Sequence, residues 1–266
     1  MKKITALLVK KLRLQTGVGI IDCKNALIET KGNLEKSVDF LRKLGHIKAI
    51  QKKSHITSKG SIFIGHNKKY SAMLELNCET DFVSKECNFI SFGEKIVNHA
   101  IMSGIEDSEL LRKFFENERI DLISKLNENV FIRRIIVLKG HNIGRYLHHN
   151  RIGVLVETTS NFKKELIKNI SMHIASSKPE YLCANVIPSS IIDREYNIQL
   201  ELAKKSKKPD FIIKKIVEGK MTKFFNEISL LGQNFIFNSE KTVGDIILEN
   251  DINIIAFYRF EVGECI

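Results

Sequence analysis

The residue types that could carry chemistry do not form a complete catalytic or metal-binding set. His148 and His149 are adjacent imidazoles, but both cannot face one metal ion from a short loop, and no further ligand is spaced to help. The five cysteines are scattered without a Cys-x-x-Cys pair, so they support neither a disulfide framework nor a zinc ribbon. We therefore predict no metal, no cofactor, and thiols that are reduced and mostly buried.

A second candidate is the stretch Asn-Cys-Glu-Thr-Asp-Phe-Val at residues 77–83, which follows an alternating apolar run. It places a phenyl ring, Phe82, directly beside the carboxylate of Asp81 where a strand is expected to end. One interpretation is local, with Phe82 packed under its own hairpin and Asp81 capping the next helix. The other is that the pair acts on a different molecule.

Catalytic signatures are missing from the chain. It contains no phosphate-binding Gly-x-x-x-x-Gly-Lys-Ser/Thr loop, no dinucleotide fingerprint after a strand, no His-Glu-x-x-His and no Gly-x-Ser-x-Gly. A binding or regulatory protein is therefore a better class than an enzyme that makes or breaks bonds.

Charge offers an alternative function. The 266 residues carry a net charge of +11, and basic residues that neutralise phosphates give affinity for nucleic acid. The lysines are spread along the whole chain, however, and the densest cluster, residues 204–215, could equally be the solvated tip of a helical hairpin. A basic RNA-binding accessory protein of translation remains the alternative.

Neither a membrane span nor a secretory signal is expected. The longest apolar runs are far below the roughly 18–20 residues that cross a bilayer. Lys10, Lys11 and Arg13 interrupt what would be the core of an N-terminal signal. We therefore predict a cytoplasmic protein.

The first 55 residues have the pattern of a three-helix module. Thr5 is the expected N-cap of the first helix, and Asn33 that of the third. Gly17 breaks the first helix, Gly32 provides a left-handed residue after the second, and Gly45 is expected to end the third. The basic stretch that follows predicts a joint to the rest of the chain.

Beyond this module the sequence predicts an α+β fold. A β-hairpin pairs residues 62–64 with 72–76, and helices follow at about 88–103 and 107–127. Two further strands, joined by the segment His-Asn-Ile-Gly-Arg-Tyr-Leu-His-His-Asn, precede a helix at 162–176. An antiparallel helical pair with Pro209 at its turn comes next, and the chain then returns to strands.

These elements predict four structural parts: a three-helix module at 1–55, a core N-subdomain at 56–140, a core C-subdomain at 141–187 and 229–266, and an inserted helical hairpin at 188–228. A strand, a turn and a helix occur twice, which fits either a duplicated subdomain or two ordinary β–α units. The helical histidines of these units, His99 and His173, are predicted to be packed or hydrogen-bonded at the edge of a core.

Several segments together resemble one known family. "ITALLVKKLRLQTGVGIIDCKNAL", "NCETDFVSK", "RIGVLV", "HIASSKPEYL", "VEGKMTKFFNEISLLGQNF" and "RFEVGE" look closely like the signature segments of bacterial translation elongation factor Ts, in family order over essentially the whole chain. The resemblance implies a guanine-nucleotide exchange factor that binds elongation factor Tu and lets GDP leave. It also implies an N-terminal domain of the ubiquitin-associated type, a two-part core with antiparallel sheets and a helical hairpin.

The resemblance further implies which residues meet elongation factor Tu. In the core these are Thr80, Asp81, Phe82, Val83 and His148. In the N-terminal module they are Leu12, Arg13, Val18, Ile20 and Ile21. From the pattern alone, Val18, Ile20 and Ile21 could instead form the core of the module.

In the family, Asp81 and Phe82 would sit at a turn that enters the GTP-binding domain and disturbs its Mg²⁺ and phosphate site. The helical hairpin could serve self-association. Family members often continue past the final Arg-Phe-Glu-Val-Gly-Glu with a short helix that contacts the partner, and we expect that contact to be missing here.

Overall fold

The computed structural model describes residues 4–140, 142–159, 163–205 and 208–264. It shows a mixed α+β protein with antiparallel sheets, which confirms the predicted fold class. The chain divides into two compact units. The first comprises Met1–His141, His149–Arg151 and Phe260–Ile266, and the second comprises Asn142–His148 and Ile152–Arg259. The finer division into four parts stays a prediction.

The N-terminal helices pack around their own small core. They are α1 (Ala6–Thr16), α2 (Ile20–Glu29) and α3 (Leu34–Lys52). The predicted caps are confirmed: Thr5 accepts a hydrogen bond from the Leu8 N–H, and Asn33 accepts one from the Lys36 N–H. The core residues of this cluster are Val9, Leu12, Val18, Cys23, Ala26, Leu27 and Leu41.

The prediction that Gly45 ends the third helix was wrong, because α3 continues to Lys52. Gly45 is buried inside the helix, and a β-carbon there would lie only 3.2 Å from the Ser124 side chain. The glycine is thus explained by close packing against another helix of the first unit. Ala49, further along α3, belongs to the same apolar core as the neighbouring sheet.

A three-stranded antiparallel sheet and four helices follow the N-terminal helices in the first unit. The strands of the sheet are β1 (Lys59–His66), β2 (Tyr70–Cys78) and β3 (Phe131–Lys139), in that spatial order. The predicted hairpin is confirmed, with Ile62 opposite Glu75 and Ile64 opposite Met73. Between β2 and β3 lie α4 (Asp81–Ser84), α5 (Cys87–Ser103), α6 (Ser108–Phe114) and α7 (Glu116–Leu126).

The single helix predicted at 107–127 is instead the pair α6 and α7, which meet at Phe115. Phe115 leaves helical geometry there and is almost completely buried, at 1% exposure. Its ring packs edge-on against Phe92 with centroids 6.0 Å apart. The break between the two helices therefore falls at a residue whose ring is part of the core.

The second unit holds another antiparallel sheet and the helical hairpin. Its elements in chain order are β4 (Ile143–His148), β5 (Ile152–Thr158), α8 (Lys164–Ser177), α9 (Ser189–Lys204), α10 (Asp210–Ile228), β6 (Asn234–Phe235), β7 (Asn238–Thr242), α11 (Val243–Glu249) and β8 (Ile254–Glu261). The larger sheet has the order β4-β5-β8. The segment predicted to be a connection contains β4 itself. Phe162, the predicted start of α8, lies outside the described residues.

The helical hairpin confirms the predicted antiparallel pair. Apolar residues from both arms pack together, with Ala203 and Ile213 near the turn and Ile192 with Phe224 at the base. Pro209 is the N-cap residue of α10, where a proline costs no helical hydrogen bond.

The two helical histidines also behave as predicted. His99 stacks on Phe114 with ring centroids 4.2 Å apart. His173 is buried, and its Nε2 lies 2.9 Å from Gln233 Oε1 while its Nδ1 accepts a hydrogen bond from the Ile236 N–H. Burial lowers the pKa of His173, partly offset by the hydrogen bond with Gln233. Both are structural residues.

Candidate protein-interaction site

The Asn-Cys-Glu-Thr-Asp-Phe-Val stretch leads from β2 into a single helical turn, α4. We call residues 80–84 the aromatic turn. Thr80 is its N-cap, with an extended backbone and a side-chain oxygen that accepts from the Val83 N–H at 3.4 Å. Val83 is buried at 9% exposure and holds the turn to the core beneath. Phe82 faces the opposite way and is 88% exposed.

The local interpretation of Phe82 therefore does not fit this structure. Its ring is not packed under the hairpin, and the cap of the following turn is Thr80 instead of Asp81. Burying a phenylalanine side chain is worth roughly 1.5–3 kcal/mol, which an exposed ring leaves unused. A fully presented ring on a fixed backbone is the geometry of an anchor for another protein.

Glu128, which the sequence analysis missed, fixes the backbone of the aromatic turn. Its Oε2 accepts hydrogen bonds from the N–H groups of Glu79 at 3.2 Å and Thr80 at 3.0 Å, and its Oε1 accepts from the Thr80 hydroxyl at 2.7 Å. Charge-assisted bonds of this kind are about twice as strong as neutral ones. Glu128 lies 48 residues from Thr80 in sequence, so no local pattern connects them.

Glu79 forms a second link between the same two segments, because its side chain accepts a hydrogen bond from the residue after Glu128. Its Oε1 accepts from the Asn129 N–H at 2.7 Å, and its Oε2 lies 3.1 Å from Nδ1 of His55. Burial alone would raise the pKa of Glu79, but the bonds from Asn129 and His55, together with Lys52, outweigh it and leave the pKa below its usual value. Two carboxylates thus tie residues 79–80 and 128–129 to each other.

Cys78 ends β2 directly below the turn. Its thiol donates to the Thr80 carbonyl at 3.2 Å. Burial, with a further contribution from the Glu128 carboxylate, raises the pKa of Cys78 to about 12. The thiol stays protonated at neutral pH and acts as a packed hydrogen-bond donor, not as a nucleophile.

The prediction of mostly buried cysteines holds for half of the described set. Cys23 and Cys78 are buried, Cys183 is half-buried and Cys87 is exposed, and all four are free thiols. Cys265 lies outside the described residues. Among the described residues, no group of histidine, cysteine and acidic side chains is arranged to hold a metal ion.

The second predicted contact region is the bend between α1 and α2, which we call the N-terminal turn (residues 17–21). Gly17 has a φ of +73°, a left-handed conformation that ends α1 and is favourable for glycine. Ile20 and Ile21 are exposed, at 55% and 71%. Arg13 is also exposed, in the last turn of α1.

Leu12 and Val18 are buried, whereas a residue that contacts a partner must be exposed. Leu12 is completely buried and Val18 is 5% exposed, so both are core residues of the module. The Val18 carbonyl accepts from the Cys23 thiol at 3.5 Å, which orients the bend inward at this residue. The alternative left open for Val18 is therefore the one observed, and the side chains available for contact at the bend are Ile20 and Ile21.

His148 lies at the end of β4 in the second unit. Its Nδ1 is 2.9 Å from the Tyr146 hydroxyl, and the two rings are tilted against each other with centroids 6.0 Å apart. Residues of one strand separated by two positions face the same side of a sheet, which explains why Tyr146 reaches it. The sequence alone did not predict this contact of Tyr146 with His148.

The described residues thus include an exposed phenyl ring on a hydrogen-bonded turn and an exposed aliphatic pair on a small helical module, which makes both candidates for contact with another protein. A family model described as Elongation factor TS matches residues 79–264. The Elongation factor Ts of Buchnera aphidicola subsp. Baizongia pistaciae is 53% identical over 264 residues, covering 99% of both chains. That of Yersinia pestis (strain Pestoides F) is 47% identical over 266 residues, covering 99% of this chain and 93% of the relative.

The chain belongs to the elongation factor Ts family, whose members are nucleotide exchange factors for elongation factor Tu. The resemblance read from the sequence is thereby confirmed, and the exchange factor is favoured over the basic RNA-binding alternative. Within the described parts of the chain, no helix is both long enough and apolar enough to cross a bilayer.

Proposed function

We propose that this protein promotes GDP release from elongation factor Tu by inserting Asp81 and Phe82 into the GTP-binding domain of that partner. The observation that carries the proposal is the 88% exposure of Phe82 on a turn whose backbone is held by Glu128. A ring that is already positioned loses little conformational freedom when it is buried by a partner. Its burial energy is then available for changing the partner.

In this mechanism, the binding energy stabilises a form of the partner that holds Mg²⁺ and phosphate poorly. The ring occupies an apolar cleft, and the exposed Asp81 carboxylate caps backbone amides of the partner or repels the ligands around its Mg²⁺. Because coupling between two binding sites is reciprocal, tightly bound nucleotide weakens the grip of the exchange factor to the same extent. GTP entry can therefore release it.

Further contacts complete the proposed interface. Ile20, Ile21 and Arg13 of the N-terminal module are exposed and form a second contact with the nucleotide-binding domain. His148 forms a third, with its ring held through Nδ1 by the Tyr146 hydroxyl. The protein binds both GDP-bound and nucleotide-free elongation factor Tu, and it works in the cytoplasm with the translation machinery. Self-association through the helical hairpin stays a prediction.

The test is release of fluorescent GDP from purified elongation factor Tu, followed by stopped flow with and without this protein. We expect a release rate that rises with the concentration of the protein and then saturates. An unchanged rate at every concentration would contradict the proposal. A filter-binding assay with tRNA in a salt titration checks the alternative, since specific RNA binding would give tight retention with a steep salt dependence.

A further inference from the structure

A groove of about 340 Å³ lies beside the aromatic turn within the first unit. Its lining combines the start of β1, the aromatic turn and the turn at residues 149–151. Hydrogen bonds hold these three segments together: the Ser61 hydroxyl donates to the Ser84 carbonyl at 3.2 Å, and the Ile62 N–H donates to the Asn150 carbonyl at 2.7 Å. The groove is therefore part of the same rigid frame that presents Phe82.

Cations dominate the lining of this groove. Lys59, Lys85 and Arg151 all contribute to it and are all exposed, and among the described lining residues Asp81 is the only acid. Lys59 Nζ is 4.0 Å from Asp81 Oδ1, a loose pair between half-exposed groups. Within the described parts of the chain, Lys85 and Arg151 have no carboxylate at ion-pair distance.

We propose that this basic groove, defined by Lys59, Lys85 and Arg151, receives acidic side chains of elongation factor Tu while Phe82 enters the neighbouring cleft. This inference rests on the proposed function. The groove includes Asp81, Ser84 and Lys85, so a partner that buries Phe82 comes close to Lys85, three residues along the chain. A carboxylate there offsets two cations that would otherwise lose solvent without gaining a counter-charge.

The size of the groove limits what can enter it. A helix with its side chains is about 10–12 Å across, whereas a space of about 340 Å³ corresponds to a few side chains. The ends of one or two acidic side chains fit, and the Arg151 guanidinium can bind a carboxylate through two parallel hydrogen bonds. The expected contribution is to the rate and orientation of docking, because charges at the rim of an interface act mainly on association.

The test compares the protein with a Lys85→Glu/Arg151→Glu variant in stopped-flow GDP release, from about 0.05 to about 0.5 M KCl. At low salt we expect the second-order rate constant to fall roughly 10-fold, with the difference shrinking as salt screens the charges. The release rate at saturating protein should change less than about twofold, because the groove does not touch the nucleotide. Circular dichroism verifies that the variant is folded.

The matched control is Lys68→Glu/Lys69→Glu, which makes a similar charge reversal in the exposed link between β1 and β2, at the opposite end of the hairpin from Lys59. We expect the control to retain most of the association rate. Equal losses in both variants would overturn the inference, since they would report net charge alone. A groove variant with normal association but weaker retention of tRNA on filters would also overturn it. In both cases, stimulation by the unaltered protein would leave the proposed function intact.

Discussion

The aromatic turn and the N-terminal turn both carry large apolar residues on a short bend. The two turns differ in what holds the backbone of the bend in place. At the N-terminal turn, Val18 points into the module and its neighbours Ile20 and Ile21 point out, so apolar packing itself fixes the bend. At the aromatic turn, Phe82 is exposed, and polar contacts to Glu128 reinforce the apolar attachment of Val83. A ring that contributes nothing to its own fold needs its backbone held by other residues.

This comparison predicts that substitutions in the core of the N-terminal module, beneath the N-terminal turn, reduce stability most. Leu12→Ala removes a completely buried side chain and leaves a cavity, so we expect a loss of about 2–5 kcal/mol in the stability of the module. Chemical denaturation with a probe in the first 50 residues measures it. Leu14→Ala, two positions away and 78% exposed in the folded chain, is the control and should change stability by less than about 0.5 kcal/mol. Similar losses from both variants would contradict the division between core and surface.

A second prediction concerns the polar attachment of the aromatic turn. Glu128→Ala leaves the N–H groups of Glu79 and Thr80 without their acceptor, so we expect a stability loss of about 1–3 kcal/mol. Exchange should fall further than the loss of folded protein explains, because Phe82 is no longer held in place. The measurement is GDP release per folded molecule.

Glu118→Ala is the control for that variant. It removes a carboxylate of the same unit whose partner, Lys95, is an exposed lysine at 2.7 Å, and such pairs are worth about 0–1 kcal/mol. Normal exchange per folded Glu128→Ala molecule would show that Glu128 supports the fold and does not position the ring.

The smallest of these effects should come from the exposed side of the N-terminal turn. Ile21→Ala trims a side chain that is 71% exposed, so the melting temperature should hardly change. Binding to elongation factor Tu should weaken by about 1–2 kcal/mol, or roughly 5- to 30-fold, if the side chain is buried in the complex. Titration calorimetry decides this, and unaltered affinity would remove Ile21 from the interface.

The sequence predicted most elements because their signals are local. Thr5 and Asn33 mark helix starts, and the alternation on either side of the first turn predicts the hairpin, since both signals depend only on near neighbours. The prediction that Gly45 ends α3 was wrong because a glycine can either end a helix or allow another helix to approach closely. Only the presence of Ser124 in space distinguishes these cases.

The exposed residues of the candidate site could be predicted from the sequence, but the hydrogen bonds that hold their backbone could not. The order Asp81-Phe82 is visible in the chain, whereas the attachment of Thr80 to Glu128 joins residues 48 positions apart through hydrogen bonds that leave no periodic pattern. The burial of Val18 was likewise left open, because an apolar residue at a bend can pack into a core or contact a partner. Packing decides between them, and packing is a property of the folded unit.

The most direct test of the central claim is Phe82→Ala, examined for stability and exchange in one preparation. Because Phe82 is 88% exposed, the melting temperature should stay nearly unchanged. Stimulated GDP release should slow by roughly 30- to 150-fold, corresponding to about 2–3 kcal/mol lost from the exchange transition state. A large drop in melting temperature with normal GDP release per folded molecule would contradict the account, since Phe82 would then serve the fold instead of the partner.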